Sequence, residues 1–449
     1  MLSLPEIIRA NRSGRRSGIC SICSSNRFVL EAAMAEARGT EGVVCIESTS
    51  NQVNQFGGYS GMTAMDFAGF VINVASSAGF PYERILLGGD HLGPHPWQDE
   101  PAKSAMNKAC ELVRSCVLAG YAKIHLDASM RCGDDPGGPA APPDEHTVTR
   151  RAAELCRAAE EAHSSLPPGA PAPHYVIGTD VPPPGGEQKE SKIWITSAES
   201  LDRTVTLTRE AFFAMGLEAA WERVVAVVVQ PGVEFGDTAV FDYDRAAARQ
   251  LCSQIAKYDG LAYEAHSTDY QTRHALRQMI EDHFAILKVG PWLTYAFRQA
   301  VFALEAMEKE WLTPGSGAEL SGLGRALDDA MLADPRHWSK YYHGDKAYLE
   351  FARKYSFSDR SRYYWPHPDV QAALGRLVSN LTQSTVPLVL LSQFMPEQYE
   401  AVREGRITTS PADLIRHKIA LVLDVYADAC RLGTDDAKLH QNETSVVLR

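Results

Sequence analysis

Short apolar runs alternate with longer mixed segments along most of this chain. Eight runs rich in apolar and β-branched residues begin at Gly18, Val43, Ile85, Ala122, Tyr175, Val224, Leu261 and Phe284. Between them, segments such as Lys103–Ala119 and Thr147–His163 carry apolar residues at the spacing of an amphipathic helix. Strands that alternate with helices predict a series of parallel βαβ units.

The number of units favours a closed barrel over an open sheet. They run from Gly18 to Pro291, a span close to the roughly 250 residues typical of a (β/α)8 barrel. An open doubly wound sheet is the alternative, but it normally has a Gly-rich turn after its first strand, and CSSNRF has no glycine. We therefore predict an α/β protein whose residues 1–314 form a (β/α)8 TIM barrel.

The pattern changes to helices alone after about Gly315. Four helical segments fit the apolar spacing: Glu319–Ala333, Pro335–Tyr355, His367–Leu381 and Pro411–Arg431. No flexible linker precedes them, so residues 315–449 are expected to form a helical C-terminal extension packed on the barrel.

Polar residues of unusual chemistry occur at the ends of the predicted strands. The polar residues are Glu47, Asp90, His91, His125, Asp127, Asp180, Glu264, His266 and Lys288, and Gly290 follows Lys288 at the end of the eighth strand. The carboxyl ends of barrel strands converge on one mouth, where active sites of this fold lie. The sequence therefore predicts one site built from several distant segments.

Strand parity suggests which of these side chains share a face. His125 and Asp127 are two residues apart, as are Glu264 and His266, so each pair points the same way. With His91, these imidazoles and carboxylates suit a divalent cation, for which zinc is the expected ion. The alternative is that each histidine is an ordinary hydrogen-bonded rim residue, but its repetition over several strand ends favours a site.

An anion site is expected beside this cluster, because loops after strands seven and eight commonly bind phosphate in this fold. Ser267 and Arg273 offer donors, Gly290 permits close backbone approach, and Lys288 brings charge. Lys288 could instead pair with Glu264.

A basic and aromatic run in the extension, SDRSRYYWPHP, offers Arg360 and Arg362 as further anion ligands. Structural packing is an equal alternative for these arginines.

Composition narrows the class of partner. The chain has 449 residues and a formal charge of −12 without a Lys/Arg-rich stretch, which argues against a nucleic-acid partner. No apolar run reaches the roughly 18 residues that a membrane helix needs. The start does not resemble a secretory signal, and nine scattered cysteines suit a reducing compartment, so a cytoplasmic protein is expected.

Several long blocks carry a resemblance to a known family. ESTSNQVNQFGGYSGMT, LGGDHLGPHPWQDEPA, KIHLDASM, IGTDVPPPGGE, EAHSTDYQT, HFAILKVGP and SDRSRYYWP are similar to the successive signatures of the D-tagatose-1,6-bisphosphate aldolase non-catalytic subunit family. The resemblance runs from about Arg9 to about Cys430. It implies a fold similar to that of class II, metal-dependent ketose-bisphosphate aldolases.

The resemblance also implies roles for particular residues. In such aldolases an Asp-His pair supplies a proton-transferring carboxylate and a metal ligand, which Asp90 and His91 resemble, and His266 resembles a later ligand histidine. Asp180 corresponds most naturally to an acidic ligand on the fifth strand. Family members are described as supporting a separate catalytic subunit, whereas some resemble epimerases that act on tagatose 6-phosphate.

Two hypotheses follow. The first is a metal-dependent tagatose 6-phosphate 4-epimerase acting through retro-aldol cleavage and re-addition. The alternative is a non-catalytic stabilising partner of a class II aldolase subunit. Self-association stays open, and no GxxxxGK[ST] motif supports a kinase.

For the first hypothesis, the expected roles divide into three sets. The metal ligands are His91, His266, His125 and Asp180; the catalytic candidates are Asp90, Glu264, Glu47 and Asp127; and the phosphorylated ketose is held by Lys288, Gly290, Ser267, Arg273, Asn51, Gln52 and Arg360.

Overall fold

The computed structural model describes residues 2–39, 42–137, 142–179, 194–312 and 319–431. Eight parallel strands close into a barrel in chain order, with the last strand paired to the first. They are β1 Ile19–Cys23, β2 Val44–Thr49, β3 Ile85–Leu92, β4 Lys123–Leu126, β5 His174–Ile177, β6 Val224–Val229, β7 Ala262–Ala265 and β8 Ile286–Val289. The predicted α/β barrel is confirmed.

Helices surround the barrel. In chain order they are α1 Leu4–Arg12, α2 Arg27–Ala37, α3 Ala64–Ala78, α4 Ala102–Leu118, α5 Glu145–Ser164, α6 Ala198–Ala214, α7 Glu218–Trp221, α8 Arg245–Gln254, α9 Arg273–Glu281 and α10 Pro291–Trp311. Of these, α4 and α5 lie where the apolar spacing predicts them. Side-chain caps define several starts: Asn26 accepts from the first amides of α2, and Thr63 forms a capping box with Asp66 at α3.

The amino-terminal end of the barrel is closed by α1. Leu4, Ile7 and Ile8 are buried in one cluster with inward-facing apolar residues of the strands, among them Val176 and Ile286. This end of the barrel is therefore filled with hydrophobic side chains. The polar residues are left to the opposite, carboxyl-terminal mouth.

The extension consists of further helices. They are α11 Leu323–Ala333, α12 Lys346–Tyr355, α13 Pro368–Gln383, α14 Leu388–Phe394, α15 Pro396–Arg403 and α16 Pro411–Cys430. The single helix expected over Pro335–Tyr355 is wrong. Asp345 caps the start of α12 by accepting from the Tyr348 amide, so only a short 3-10 turn, Pro335–His337, forms before it.

The last helix packs directly on the barrel. α16 contacts β1, α2, α9 and α10, and its buried face includes Leu423 and Tyr426. The Tyr426 hydroxyl donates to the backbone oxygen of Thr268 over 2.7 Å. The extension therefore shares a hydrophobic core with the barrel, although the boundary between residues 314 and 315 stays a prediction.

Among the described helices, none combines the length and the apolar character that crossing a bilayer requires.

Candidate functional site

Nine buried charged and imidazole side chains meet at the carboxyl-terminal mouth of the barrel. We call them the mouth cluster: Glu47, Asp90, His91, Lys123, His125, Asp127, Glu264, His266 and Lys288. They come from β2, β3, β4, β7 and β8 and the residues that follow these strands. Apart from Lys123, all members of the mouth cluster are strand-end residues that the sequence singled out. Asp180, another of those residues, lies outside the described residues.

Strand register explains how the deepest members meet. Glu47 is paired with Gly88, and Gly88 is paired with Lys123, so these residues form one row across three strands. A β-carbon on Gly88 would lie 2.8 Å from the Glu47 side chain, so only glycine leaves room for that carboxylate. Glu47 can then reach Lys123, 2.7 Å away.

Two lysines bind the carboxylates of the cluster. The Lys123 ammonium lies 2.7 Å from Glu47 and 2.7 Å from Glu264. The Lys288 ammonium contacts Glu47 and lies 2.9 Å from Asp90. Because these five side chains are almost fully buried, their charges must be compensated within the cluster.

Three imidazoles lie on the outer side of this network. The ring centroids of His91, His125 and His266 are 4.7 to 5.2 Å apart. His91 is held by Asp127 at 2.7 Å, His125 by Asp90 at 3.1 Å, and His266 by Glu264 at 3.0 Å. Each histidine therefore has one nitrogen fixed by a carboxylate, as is usual for histidines that bind metals.

The backbone at two mouth positions adopts a left-handed conformation. His91 has a φ of 48° and Ser267 a φ of 54°, a region that costs a non-glycine residue about 1 to 3 kcal/mol. Both residues lie where a strand passes into its loop. The conformation turns these side chains into the mouth.

Burial and neighbouring charges act in opposite directions on the acids of the cluster. Burial alone would raise the pKa of Asp90, but His91, Lys288 and His125 outweigh it and hold the pKa well below its usual range. Burial alone would likewise raise the pKa of Glu264. The positive charges of Lys123 and Lys288 outweigh this effect and hold the pKa of Glu264 well below its usual range. Both groups are therefore carboxylates at neutral pH.

The histidines respond differently to the same surroundings. Burial lowers the pKa of His266 to about 4, against the effect of Glu264 and Asp90. At His91, burial also lowers the pKa, but Asp90 and Asp127 prevail and raise it. His266 is therefore neutral at physiological pH, which is the form that binds a metal.

The residues present fit a divalent cation. Donor atoms of Asp90, His125, Glu264 and His266 all lie within 4.8 Å of one another and are buried. The Nε2 of His125 is buried and has no hydrogen-bond partner among the described residues, so it is an available ligand. Four carboxylates face two ammonium groups in the cluster, and a divalent ion would neutralise the difference.

A cavity connects the mouth cluster to the extension. Asp90, His91, His266 and Lys288 line one part of it, and the other described lining residues include Asn51, Gln52, Tyr59, Ser267, Asp269, Gly290, Arg362 and Tyr363. Five of the predicted substrate-binding residues therefore line the same cavity as the candidate metal ligands His91 and His266: Asn51, Gln52, Ser267, Lys288 and Gly290.

Two predicted anion ligands lie elsewhere. Arg273, at the start of α9, pairs with Asp424 of α16 at 2.7 Å. Arg360 is buried, with its guanidinium 3.2 Å from the Tyr341 ring centroid. Neither is among the described residues that line the cavity, so the structure does not support a direct role in substrate binding for them.

Sequence reasoning missed Lys123 and Cys23. Lys123 is a lysine in the otherwise apolar start of β4, two residues before His125 and on the same face, and that parity is a signal that could have identified it. The Cys23 thiol lies 3.5 Å from Asp90 and lines the cavity. No pattern in the sequence indicated this contact.

Comparison with known proteins assigns the chain to a family. The model of the family described as D-tagatose-1,6-bisphosphate aldolase subunit GatZ/KbaZ-like matches residues 4–431. The chain belongs to this family. Subunit GatZ of this aldolase from Klebsiella pneumoniae subsp. pneumoniae is 47% identical to our GatZ/KbaZ-like chain, over 96% of it and 100% of the Klebsiella protein.

A second relative and a solved structure support the same family and fold. The GatZ subunit of Salmonella paratyphi B is 48% identical over 95% of this GatZ/KbaZ-like chain and 99% of its own length. A crystal structure from Sinorhizobium meliloti 1021, described as that of a probable tagatose 6 phosphate kinase, is 42% identical, with a TM-score of 0.83 over 92% of this chain and all of that one. The recognised family and fold are therefore both confirmed.

Proposed function

We propose that this GatZ/KbaZ-like chain carries a metal-dependent site for a phosphorylated ketose and interconverts tagatose 6-phosphate and fructose 6-phosphate. The observation that supports this most is the buried group of His125, His266, Asp90 and Glu264, which opens into a cavity. A purely structural subunit has no physical need to bury so many ionisable groups at one mouth, because each costs desolvation energy.

The candidate ligands are His125, His266 and Glu264, with His91 beside them. Nitrogen and carboxylate donors in this combination suit zinc. A cation bound there would supply Lewis-acid polarisation of the ketose carbonyl at C2, which favours cleavage of the C3–C4 bond because the carbonyl accepts the negative charge left on C3.

Asp90 is the proposed proton acceptor, because its carboxylate reaches the cavity, whereas Glu264 is held between Lys123 and His266. Asp90 takes the C4 hydroxyl proton as the C3–C4 bond breaks, and the electron pair of that bond stays on the three-carbon fragment as an enediolate. The aldehyde fragment rotates, the enediolate adds to its opposite face, and Asp90 returns the proton. The configuration at C4 is then inverted.

An assay of the purified chain tests this proposal. We expect the chain alone to convert tagatose 6-phosphate to fructose 6-phosphate, to lose this activity with a chelator and to regain it with zinc. An inactive chain that has been shown to contain bound metal would contradict the proposal.

The ligand assignment is tested by His266→Ala. The variant should lose most of its bound metal and keep its fold, since a rim ligand is removed while the barrel core is untouched. His174→Ala is the matched control, because His174 starts β5 at the opposite end of the barrel. Metal content measured by plasma mass spectrometry should fall only in His266→Ala, and equal metal content in both variants would refute the assignment.

A second candidate function is favoured by the names of the relatives. Both are named as subunits of tagatose-1,6-bisphosphate aldolase, which supports a stabilising partner of a separate catalytic subunit more directly than an independent enzyme. In that case the purified chain is inactive on tagatose 6-phosphate, but it increases the activity or the lifetime of an added class II aldolase. Measuring both reactions with the same preparation separates the two functions.

A further inference from the structure

The two lysines of the mouth cluster are already paired with carboxylates of the protein. Lys288 contacts Glu47 and Asp90, and Lys123 lies between Glu47 and Glu264. To bind a phosphate dianion, the cavity therefore needs another positively charged side chain, one that is not paired with a carboxylate of the mouth cluster.

Arg362 lines the same cavity as Asp90, His91, His266 and Lys288, and it belongs to the extension. Its Nη1 donates to the backbone oxygens of Ser358 at 2.5 Å and Asp359 at 3.0 Å, and its Nη2 donates to the Tyr363 hydroxyl at 3.0 Å. These partners are neutral. Within the described ranges, no carboxylate oxygen lies within 4.0 Å of this guanidinium.

Asp359 and Asp269, the two acids that interact electrostatically with Arg362, are bound to other partners. Asp359 accepts from Arg298 at 2.8 Å and from Thr294 at 2.6 Å. Asp269 accepts from the backbone amides of Gly290 at 3.0 Å and Trp292 at 2.7 Å. The charge of Arg362 is therefore available to a ligand in the cavity.

The position of Arg362 is fixed by its surroundings. It lies in a short 3-10 turn, Arg360–Tyr363, and the Tyr363 ring stacks on His337 with centroids 4.6 Å apart. The Tyr59 ring, from the loop after β2, packs edge-on against Tyr363 at 4.6 Å. A guanidinium held in this way loses little freedom when it binds an anion.

We propose that Arg362, supplied by the extension, binds the phosphate group of the substrate, with Ser267 and Asn51 as further donors from the barrel loops. This inference rests on the proposed function, since it names the part of the same cavity that selects a phosphorylated ketose. The phosphate end of the molecule lies at Arg362, and the reacting carbons lie beside Asp90 and His266.

Calorimetric titration of the full chain with inorganic phosphate, tagatose and tagatose 6-phosphate tests the proposal. In Arg362→Gln, affinity for phosphate and for tagatose 6-phosphate should fall roughly tenfold to hundredfold, as expected for loss of a charge-assisted hydrogen bond. Binding of unphosphorylated tagatose should not change. Arg336→Gln is the matched control, because Arg336 is an exposed arginine of the extension that pairs with Asp334.

Arg362→Lys provides a second variant if the glutamine variant does not fold. It keeps the charge but loses the planar fork, so an intermediate affinity for phosphate is expected. Unchanged phosphate affinity in the folded variants overturns the proposal, as does a wild-type chain that does not distinguish tagatose 6-phosphate from tagatose.

The same experiment separates this inference from the proposed function. If phosphate binding depends on Arg362 but the chain does not epimerise tagatose 6-phosphate, the anion site stands and the catalytic proposal fails. If the chain is an active epimerase and Arg362→Gln binds phosphate normally, the anion site fails alone.

Discussion

Lys123 illustrates how a single buried side chain supports the whole mouth. It is fully buried and is the direct counter-charge of both Glu47 and Glu264. Glu264 in turn holds His266. Removing this ammonium therefore leaves two buried carboxylates short of positive charge and loosens a candidate metal ligand.

We expect Lys123→Met to destabilise the protein by about 3 to 5 kcal/mol, the usual cost of breaking a buried ion pair. Lys257→Met is the control, because Lys257 is 60% exposed and its pair with Asp202 should contribute about 1 kcal/mol or less. Urea denaturation curves of the two variants measure the difference. Equal midpoints for the two variants would show that the ion pairs of Lys123 do not stabilise the fold.

The positions of some site residues follow from strand ends and strand parity, and those of others do not. Asp90, His125 and His266 were predicted because strand ends in a barrel meet at one mouth and parity tells which side chains face inward. Arg273 was misplaced because its partner, Asp424, lies in a helix more than a hundred residues away. Sequence spacing contains no record of such a contact.

At the scale of elements, the start of α10 lies at the mouth and binds a carboxylate of the protein itself. The Asp269 carboxylate accepts from the Gly290 and Trp292 amides at the start of this helix. A carboxylate here occupies the position in which phosphate was expected to meet the Gly290 backbone. This arrangement explains why the positive end of the helix does not serve a ligand directly.

Asp269→Asn should change the pH dependence of stability. Burial raises the pKa of Asp269 to about 6, so folding favours the protonated form, and this contribution is full below about pH 4 and lost as the pH rises to 6. Asparagine keeps the acceptor oxygen without the charge. The variant should therefore gain roughly 2 kcal/mol over the wild type between pH 4 and 7.

Thermal melts of both proteins across this pH range measure the effect. Asp259→Asn, at an exposed position, should follow the wild-type curve. Parallel curves for Asp269→Asn and the wild type would contradict the expected titration.

At the scale of the whole molecule, the extension and the barrel are packed into one hydrophobic core. α16 lies against β1, α2, α9 and α10, and its Tyr426 is fully buried beside Thr268 and Trp292. The apolar spacing predicted this helix correctly. It could not predict the helix's place beside the first strand, because that depends on packing between the two ends of the chain.

Tyr426→Ala should destabilise the barrel and the extension together by about 3 to 5 kcal/mol, as for other large aromatic residues removed from a core. Hydrogen exchange at increasing urea, followed in peptides from β1 and α13, should show both losing protection at the same concentration. Tyr355→Ala, at a position that is 52% exposed, is the control. Loss of protection in α13 alone would show that the extension unfolds independently.

The contact between α16 and β1 also affects how the protein is made. A ribosome synthesises β1 early but does not complete α16 until residue 430, and at about 5 to 20 residues per second this interval lasts many seconds. Throughout that time one flank of the first strand has no helix to cover it. The nascent barrel thus leaves apolar surface beside β1 exposed until α16 has been translated.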